Sequence, residues 1–395
     1  MTVPTKTRRH DLDWLRVLAF FVLIFFHAGM PFINSSWHVK NDQTSNELSL
    51  FWSFLHDWRL PLLFMISGCG VWFAFLSRSA GAFSRERLTR LLLPLTFGTL
   101  LIIPPQLYYE RLFSGVFQGS YLEFYPKFFE GVYPAGNFSP HHLWFVLYLL
   151  VYCFAALPIF IAIKSKTGGK LWHKASSVLD RDGGLFLIPW VLIAGSLLLK
   201  PLGRAHWFTY SELFMQFSFF VLGFLISSRK TIWQAIERQR HASLIVGVLG
   251  LAAMVFIRWT PYCYYRGWTY IIPQTIGLIA FLFAVFGYAR RHLQFKNKFL
   301  TYTNEAVYPF YILHQTITVV LAFYVVQWPM NMWVKFAIVT AGTIVGTWVI
   351  YHFIIRPFNV LRPFFGMKAK PALKATATAA VTTSPGSMVP ITLES

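Results

Sequence analysis

Long apolar runs with almost no charge recur along the whole chain, near residues 14–33, 50–76, 91–109, 142–163, 184–200, 207–227, 242–258, 268–289, 306–327 and 332–355. A helix needs about 20 such residues to cross the ~30 Å hydrocarbon core of a bilayer. Ten runs therefore imply ten crossings, and the chain is expected to be an integral membrane protein. The runs are continuous rather than alternating, so they suit helices and not the strands of a closed barrel, the two structures that satisfy the backbone in lipid. The expected fold class is all-α and polytopic. Only 13% of the residues are charged, against ~25% in soluble domains. Pro61, Pro94, Pro189, Pro273 and Pro309 fall inside the runs and are expected to kink helices without ending them, because neighbouring helices satisfy the freed carbonyls.

Lysine and arginine counts in the connections set the orientation. With the N-terminus inside, the cytoplasmic segments carry 25 of the 35 basic residues, among them Arg85, Arg87 and Arg90, Lys164 to Lys174, Arg290 and Arg291. Eight lie on the other side, and Arg16 and Arg59 fall within spans. Both termini are thus expected in the cytoplasm. The net charge of +20 then belongs to inner loops facing anionic lipid, which leaves no folded basic face for nucleic acid. The basic N-terminus followed by an apolar run looks like a secretory signal, but the run is too long and lacks a small-residue cleavage site. It is expected to stay as the first span. The organisation reads as a cytoplasmic N-terminal segment (1–13), a membrane domain (14–360) and a disordered cytoplasmic tail (367–395) rich in Ala, Thr, Ser and Pro. Cys69, Cys153 and Cys263 are isolated, and no residue spacing suits a metal site or a redox motif. "GTIVG" at 342–346 would let the last helix pack closely, within the chain or in a homodimer.

Ionisable groups at membrane depth are costly and are functional candidates by default. They are Arg16 and His27 in the first span, His56, Asp57 and Arg59 in the second, and His314 in the ninth, with Tyr311 one turn from it. Arg16 and His27 are eleven positions apart, which puts them within about 20° on one helix face and about 16 Å apart along it. Arg16 also has Asp13 one turn away as a simple ion-pair partner. Arg59 lies too deep to reach the headgroups easily and needs a carboxylate, carbonyl or anionic ligand. Arg87 and Arg90 stand one turn apart at the start of the third span and could present two forks to phosphates. His141 and His142 sit at the mouth of the fourth span, next to Trp144. The long outer connection from about 108 to 141 is rich in Tyr and Phe and carries Glu110, Glu123 and Glu130. Such residues suit either carbohydrate stacking or an interfacial aromatic belt.

These motifs resemble the acyltransferase 3 family of multi-pass membrane O-acyltransferases. "LDWLRVLAFFVLIFFHAG" is similar to its first-helix signature, an Arg and a His separated by ten residues. "RLTR" at 87–90 resembles its R-x-x-R element, "PLLFMISGCGVWFA" its second helix, and "HLWFVLYLL" and "YPFYILHQ" its fourth and ninth. The resemblance covers residues 11 to about 360. It implies a bacterial inner-membrane enzyme that takes an acyl group, acetyl or succinyl, from cytoplasmic acyl-CoA to a hydroxyl of an envelope saccharide or glycan. No resident cofactor is implied; acyl-CoA is a substrate.

Histidine suits this chemistry because its pKa lies near neutrality without perturbation. His27 would deprotonate the acceptor hydroxyl or carry the acyl group, with Arg16 as its catalytic companion. Arg16 and Arg59 could hold the donor or stabilise an oxyanion, and Arg87 and Arg90 would grip the CoA phosphates. His56, Arg59, His142, Trp144 and His314 are the candidates to surround donor or acceptor. The alternative is a secondary transporter or flippase for an anionic or sugar solute, which would also place charges at membrane depth. Transporters commonly show internal repeats, and none is evident between residues 14–180 and 184–355.

Overall fold

The computed structural model describes residues 8–205, 208–259 and 268–370. Cys263 and most of the expected tail, from residue 371 on, lie outside the described residues. The membrane helices are α1 (His10–Gly29), α2 (Asn46–Leu76) and α3, a continuous helical run over Ala80–Phe113. A short α4 (Tyr121–Lys127) in the outer connection precedes α5 (Trp144–Ala155) and α6 (Leu157–Lys164). An amphipathic α7 (Lys166–Ser176) leads to α8 (Ile188–Leu199) and α9 (Tyr210–Ser227). The chain continues through α10 (Lys230–Arg238), α11 (Arg240–Trp259), α12 (Trp268–His292), α13 (Lys298–Val325) and α14 (Met332–Ile355). Nine of the described helical runs are long and apolar enough to cross a membrane, or ten when the α5–α6 pair counts as one bent span. The expected all-α, polytopic class is what the chain adopts; among the described residues two short strands pair, Arg204–Ala205 with Phe208–Thr209.

Helix starts follow side-chain caps that satisfy otherwise orphaned N–H groups. Ser45 Oγ accepts from Leu48 N at 3.0 Å, Asn297 Oδ1 from Leu300 N at 2.7 Å and Asn331 Oδ1 from Trp333 N at 2.9 Å. Thr209 and Glu212 form a reciprocal capping box on α9. The prolines divide by position. Pro61, Pro273 and Pro309 lie inside helices that continue through them. Pro189 instead occupies the first turn of α8, where a missing N–H costs nothing, so the kink expected there is absent. The sharp bend, 45° between α5 and α6, comes at a proline in the first turn of α6, Pro158. A proline ring clashes with the preceding turn of a continuous helix.

α13 is among the most buried of the membrane helices. This helix packs against α1, α3 and α14, and α9 lies along α2. The "GTIVG" glycines meet α13: a side chain built on Gly342 would touch Leu321, and one on Gly346 would touch Ile317. The expected close packing is thus realised within the chain. The basic connections also gather at one end of the bundle. There Lys164 Nζ donates to the carbonyls of Phe75 and Arg78, Arg9 lies over the Trp233 ring, Arg290 pairs with Glu237, and Arg362 pairs with Glu305. At the opposite end, Lys335 donates to Asn41, and Tyr109 meets Tyr324. Apolar side chains such as Val191, Leu198 and Phe256 are exposed on the outside of the bundle, as a lipid-facing surface requires.

Candidate functional site

Parallel packing of α1 and α13 creates a polar seam through the bundle. Arg16 Nη1 donates to Asn304 Oδ1 at 3.2 Å and lies 3.3 Å from its own-helix Asp13. Further along, His27 Nδ1 and His314 Nε2 are 3.1 Å apart, with ring centroids separated by 4.9 Å. Arg16 and His27 therefore do share a face, and that face is turned toward α13. Asn304, Tyr308, Tyr311 and Gln315 follow at intervals of four, three and four residues, which is one stripe of a helix. The stripe connects the basic end of the bundle with the opposite end, and the Tyr308 and Tyr311 rings stack with centroids 6.4 Å apart.

A cavity of about 300 Å³ opens beside the far end of this seam. Its walls include His27, His56, Arg59, His142, Trp144, Tyr311 and Gln315. Five of the nine sequence-derived candidates thus converge on one space, from α1, α2 and the start of α5. His314 stands directly behind His27, fully buried. Arg16 is outside the cavity, at the other end of the seam.

Backbone carbonyls fix the tautomers of the three imidazoles, since a carbonyl can only accept. His27 Nδ1 lies 3.0 Å from Leu23 O, His314 Nδ1 2.7 Å from Tyr311 O and His142 Nε2 3.0 Å from Ile312 O. Each of these nitrogens carries its ring's proton. The His27 Nδ1–H is then shared between Leu23 O and the lone pair of His314 Nε2. Two nitrogens keep free lone pairs beside the cavity: His27 Nε2 and His142 Nδ1, the latter buried with no partner. Tyr311 donates its hydroxyl to the His142 carbonyl and so ties α13 to the α5 entrance.

Arg59 is 5% exposed and lies with its guanidinium 3.5 Å above the Phe26 ring. Its Nη2 donates to His56 Nδ1 at 3.5 Å, and its Nε has no hydrogen-bond partner. The expected need of this cation for a counter-group is therefore met by an aromatic face and an imidazole, both weak partners for a buried charge. Arg59 thus lines the cavity as a buried cation with one N–H that no protein group accepts.

The outer rim joins residues that sequence reasoning passed over, His38, Trp37 and Gln106, to Glu110 and His141, which the sequence marked only by their place in the outer connection and at the mouth of the fourth span. His38, in the α1–α2 connection, donates from Nδ1 to Glu110 of α3. Its Nε2 receives the amides of Gln106 at 3.0 Å and Gln315 at 3.2 Å. Trp37, beside it, lines the cavity, as do Tyr133 and His141 from the long outer connection. Burial, reinforced by the Glu110 carboxylate, pushes the Tyr133 phenol above its usual pKa. His141 adopts a left-handed backbone with φ of 38°, uncommon for a residue with a side chain and concentrated at functional sites. Its Nε2 and the Oε1 of Gln106 are also buried without partners. His38 stands in a loop, where no helical period marks it, so only the pairing with Glu110 reveals it.

Arg87 and Arg90 lie away from the cavity, near the basic end. They flank the start of a π-helical turn, Leu88–Leu92, a feature common at functional sites. Both reach Glu86, Arg87 at 3.7 Å and Arg90 at 3.4 Å, and Arg78 reaches the same carboxylate at 3.4 Å. The pair expected from sequence is thus part of a three-arginine cluster around one acid. The Arg87 Nε is buried without a partner.

Comparison with known proteins gives this geometry a lineage. A family model described as an acyltransferase domain matches residues 9–352. "Glucans biosynthesis protein C" of Escherichia coli O17:K52:H18 (strain UMN026 / ExPEC) is 25% identical over 355 residues, covering 85% of this chain and 88% of the relative. The protein of the same name from Escherichia coli K12 is 24% identical over the same length and shares. No solved structure matches the chain. The family model spans both the Arg16–His27 helix and the histidine-lined cavity, and the chain accordingly belongs to the acyltransferase 3 family, as a multi-pass membrane acyltransferase.

Proposed function

We propose that the protein transfers an acyl group from acyl-CoA, held at the basic end of the bundle, to a hydroxyl of a glycan that enters the histidine-lined cavity from the opposite end. The observation that carries this reading is the convergence on one 300 Å³ space of His27, whose Nδ1 faces Leu23 O and His314 and leaves Nε2 to accept a proton, and of Arg59, a buried cation whose Nε has no partner. Acyl transfer needs both: a base for the attacking hydroxyl and an N–H for the oxygen that gains charge. The unpartnered polar atoms of His141 and His142, both residues of the cavity wall, suit a polyhydroxyl ligand, because a hydroxyl both donates and accepts. Trp37 and Tyr133 offer faces for a sugar ring. The relatives' name, with its reference to glucans, supports a glucan as the first acceptor to try.

In this reading the acceptor hydroxyl gives its proton to His27 Nε2 as its oxygen attacks the thioester carbon. The imidazolium is stabilised through Nδ1–H by Leu23 O and His314 Nε2. The carbonyl oxygen gains charge near Arg59, the C–S bond breaks, and the departing thiolate takes the proton back. Arg16 and the Tyr308–Tyr311 stripe form the polar seam along which the acyl end of the donor reaches His27. Arg78, Arg87 and Arg90 bind the phosphates, displacing Glu86 from them. Both termini and the basic end face the cytoplasm of a bacterium, across its inner membrane.

The test is acyl transfer by protein in nanodiscs, with radiolabelled acetyl-CoA and succinyl-CoA and glucan oligosaccharides. His27→Ala is expected to lower turnover by about 10²–10⁴-fold while donor affinity holds. Equal turnover by the two proteins overturns the assignment of His27. Donor alone is expected to leave no label on the protein; label retained on His27 would instead make it the acyl carrier.

A further inference from the structure

The outer end of the cavity holds a buried hydrogen-bond chain that the acyl-transfer step does not use. His38 and Glu110 have side chains only 7% and 10% exposed. They join the α1–α2 connection to α3, and through Gln315 they reach the cavity wall on α13. Such a buried chain is costly unless each member is satisfied, and its order of donors is fixed from one end. The Glu110 carboxylate accepts the His38 Nδ1–H. That leaves a lone pair on Nε2, so any amide facing it presents its NH2 group. Gln315 therefore turns its Nε2 toward His38, and its Oε1 must point elsewhere. Gln106, held by the same nitrogen, obeys the same rule, and its Oε1 is left buried without a partner.

We infer that Gln315 Oε1 is the acceptor atom that reads a hydroxyl of the incoming glycan, and that the Glu110–His38 pair is the positioning device that fixes this amide orientation. The inference rests on the proposed acyl transfer to a saccharide and adds the residue that selects the acceptor. His38 and Glu110 act through Gln315 and touch no reacting atom. Other charged or titratable groups bear on the pair as well: Arg111 lies 3.7 Å from Glu110, and His141 has its ring centroid 5.2 Å from that of His38. Arg111 also binds Asn137 and the Gly136 carbonyl, which fixes the loop that brings Tyr133 to the cavity.

A double-mutant cycle with steady-state kinetics tests this, using succinyl-CoA or acetyl-CoA as donor and a glucan oligosaccharide of defined length as acceptor. Gln315→Leu is expected to raise the acceptor KM about tenfold, the size of one hydrogen bond, with kcat and the donor KM within twofold. Glu110→Ala should raise the acceptor KM similarly. The double variant should be no worse than either single one, because both remove the same contact. Glu110→Gln should restore the KM, since its amide oxygen still accepts the His38 Nδ1–H. The thermal unfolding midpoint in detergent checks that each variant is folded. Additive effects in the double variant, a fall in kcat at constant acceptor KM, or failure of Glu110→Gln to rescue would each overturn the assignment. Absence of transfer by the unmodified protein would overturn the acyl-transfer reading itself, a result separate from any of these.

Discussion

At the residue scale, the site is an exercise in fixing protons by backbone geometry. His27 is an ordinary histidine in sequence terms. Its usefulness comes from a carbonyl one turn earlier and from His314 on another helix, which together hold the proton on Nδ1 and free Nε2. Arg59 shows the converse, a group whose environment satisfies it poorly. A buried cation facing an aromatic ring and an imidazole contributes little to folding, so its presence is a cost borne for chemistry. Arg59→Met should therefore lower turnover by about 10²–10³-fold while leaving the thermal unfolding midpoint unchanged or higher. A structural role predicts that both fall. Arg59→Lys should recover only part of the rate, because a lysine offers one charged centre in place of a planar fork. These roles were partly legible in the sequence: the Arg16–His27 spacing, Arg59 and His314 could all be read from helical periodicity. The His38–Glu110 pairing could not, because 72 positions separate the partners and no period links a loop to a helix.

Elements meet in this protein through glycine. A Cβ on Gly68 of α2 would collide with the Phe220 carbonyl of α9, and one on Gly223 of α9 would collide with the Met65 carbonyl of α2. The two backbones touch over this stretch, the arrangement small residues allow in membranes. α2 also carries His56 and Arg59, so its seat against α9 sets the depth and rotation of both. Gly223→Leu is expected to cost at least about 1–3 kcal/mol by overpacking and to lower activity together with stability, measured by thermal unfolding in detergent beside turnover. Gly81→Ala is the matched control: its Cβ meets nothing within 4 Å, and alanine in a helix favours folding. The span from 142 to 163 shows what periodicity leaves out. Its apolar run is continuous in sequence, yet the chain turns by 45° at α6, since a proline steers the backbone whatever the hydrophobicity around it.

For the whole molecule, the polar seam joins two chemically different ends, one basic and one aromatic with a buried His–Glu pair. If the basic end faces the cytoplasm, a cysteine placed at Arg85 should react with a membrane-impermeant maleimide only after the bilayer is opened, and one at Asn34 should react directly from outside. Reactions from the reverse sides would invert the assigned orientation. Both positions are exposed, the native Cys69 and Cys153 are buried, and the third native cysteine, Cys263, is replaced by serine in both variants. The sequence by itself determined the solvent and therefore the class of fold, because ten apolar runs leave helices as the only way to satisfy a backbone in lipid. It also determined which charges are costly enough to need a reason, and that Arg16 and His27 share a face. Only the tertiary structure decided that this face meets α13 and that His56, Arg59, His142 and Trp144 enclose one space. It also decided that Glu86 sits among the arginines. Helical period is a property of one segment, whereas a cavity is made where segments distant in sequence are packed side by side.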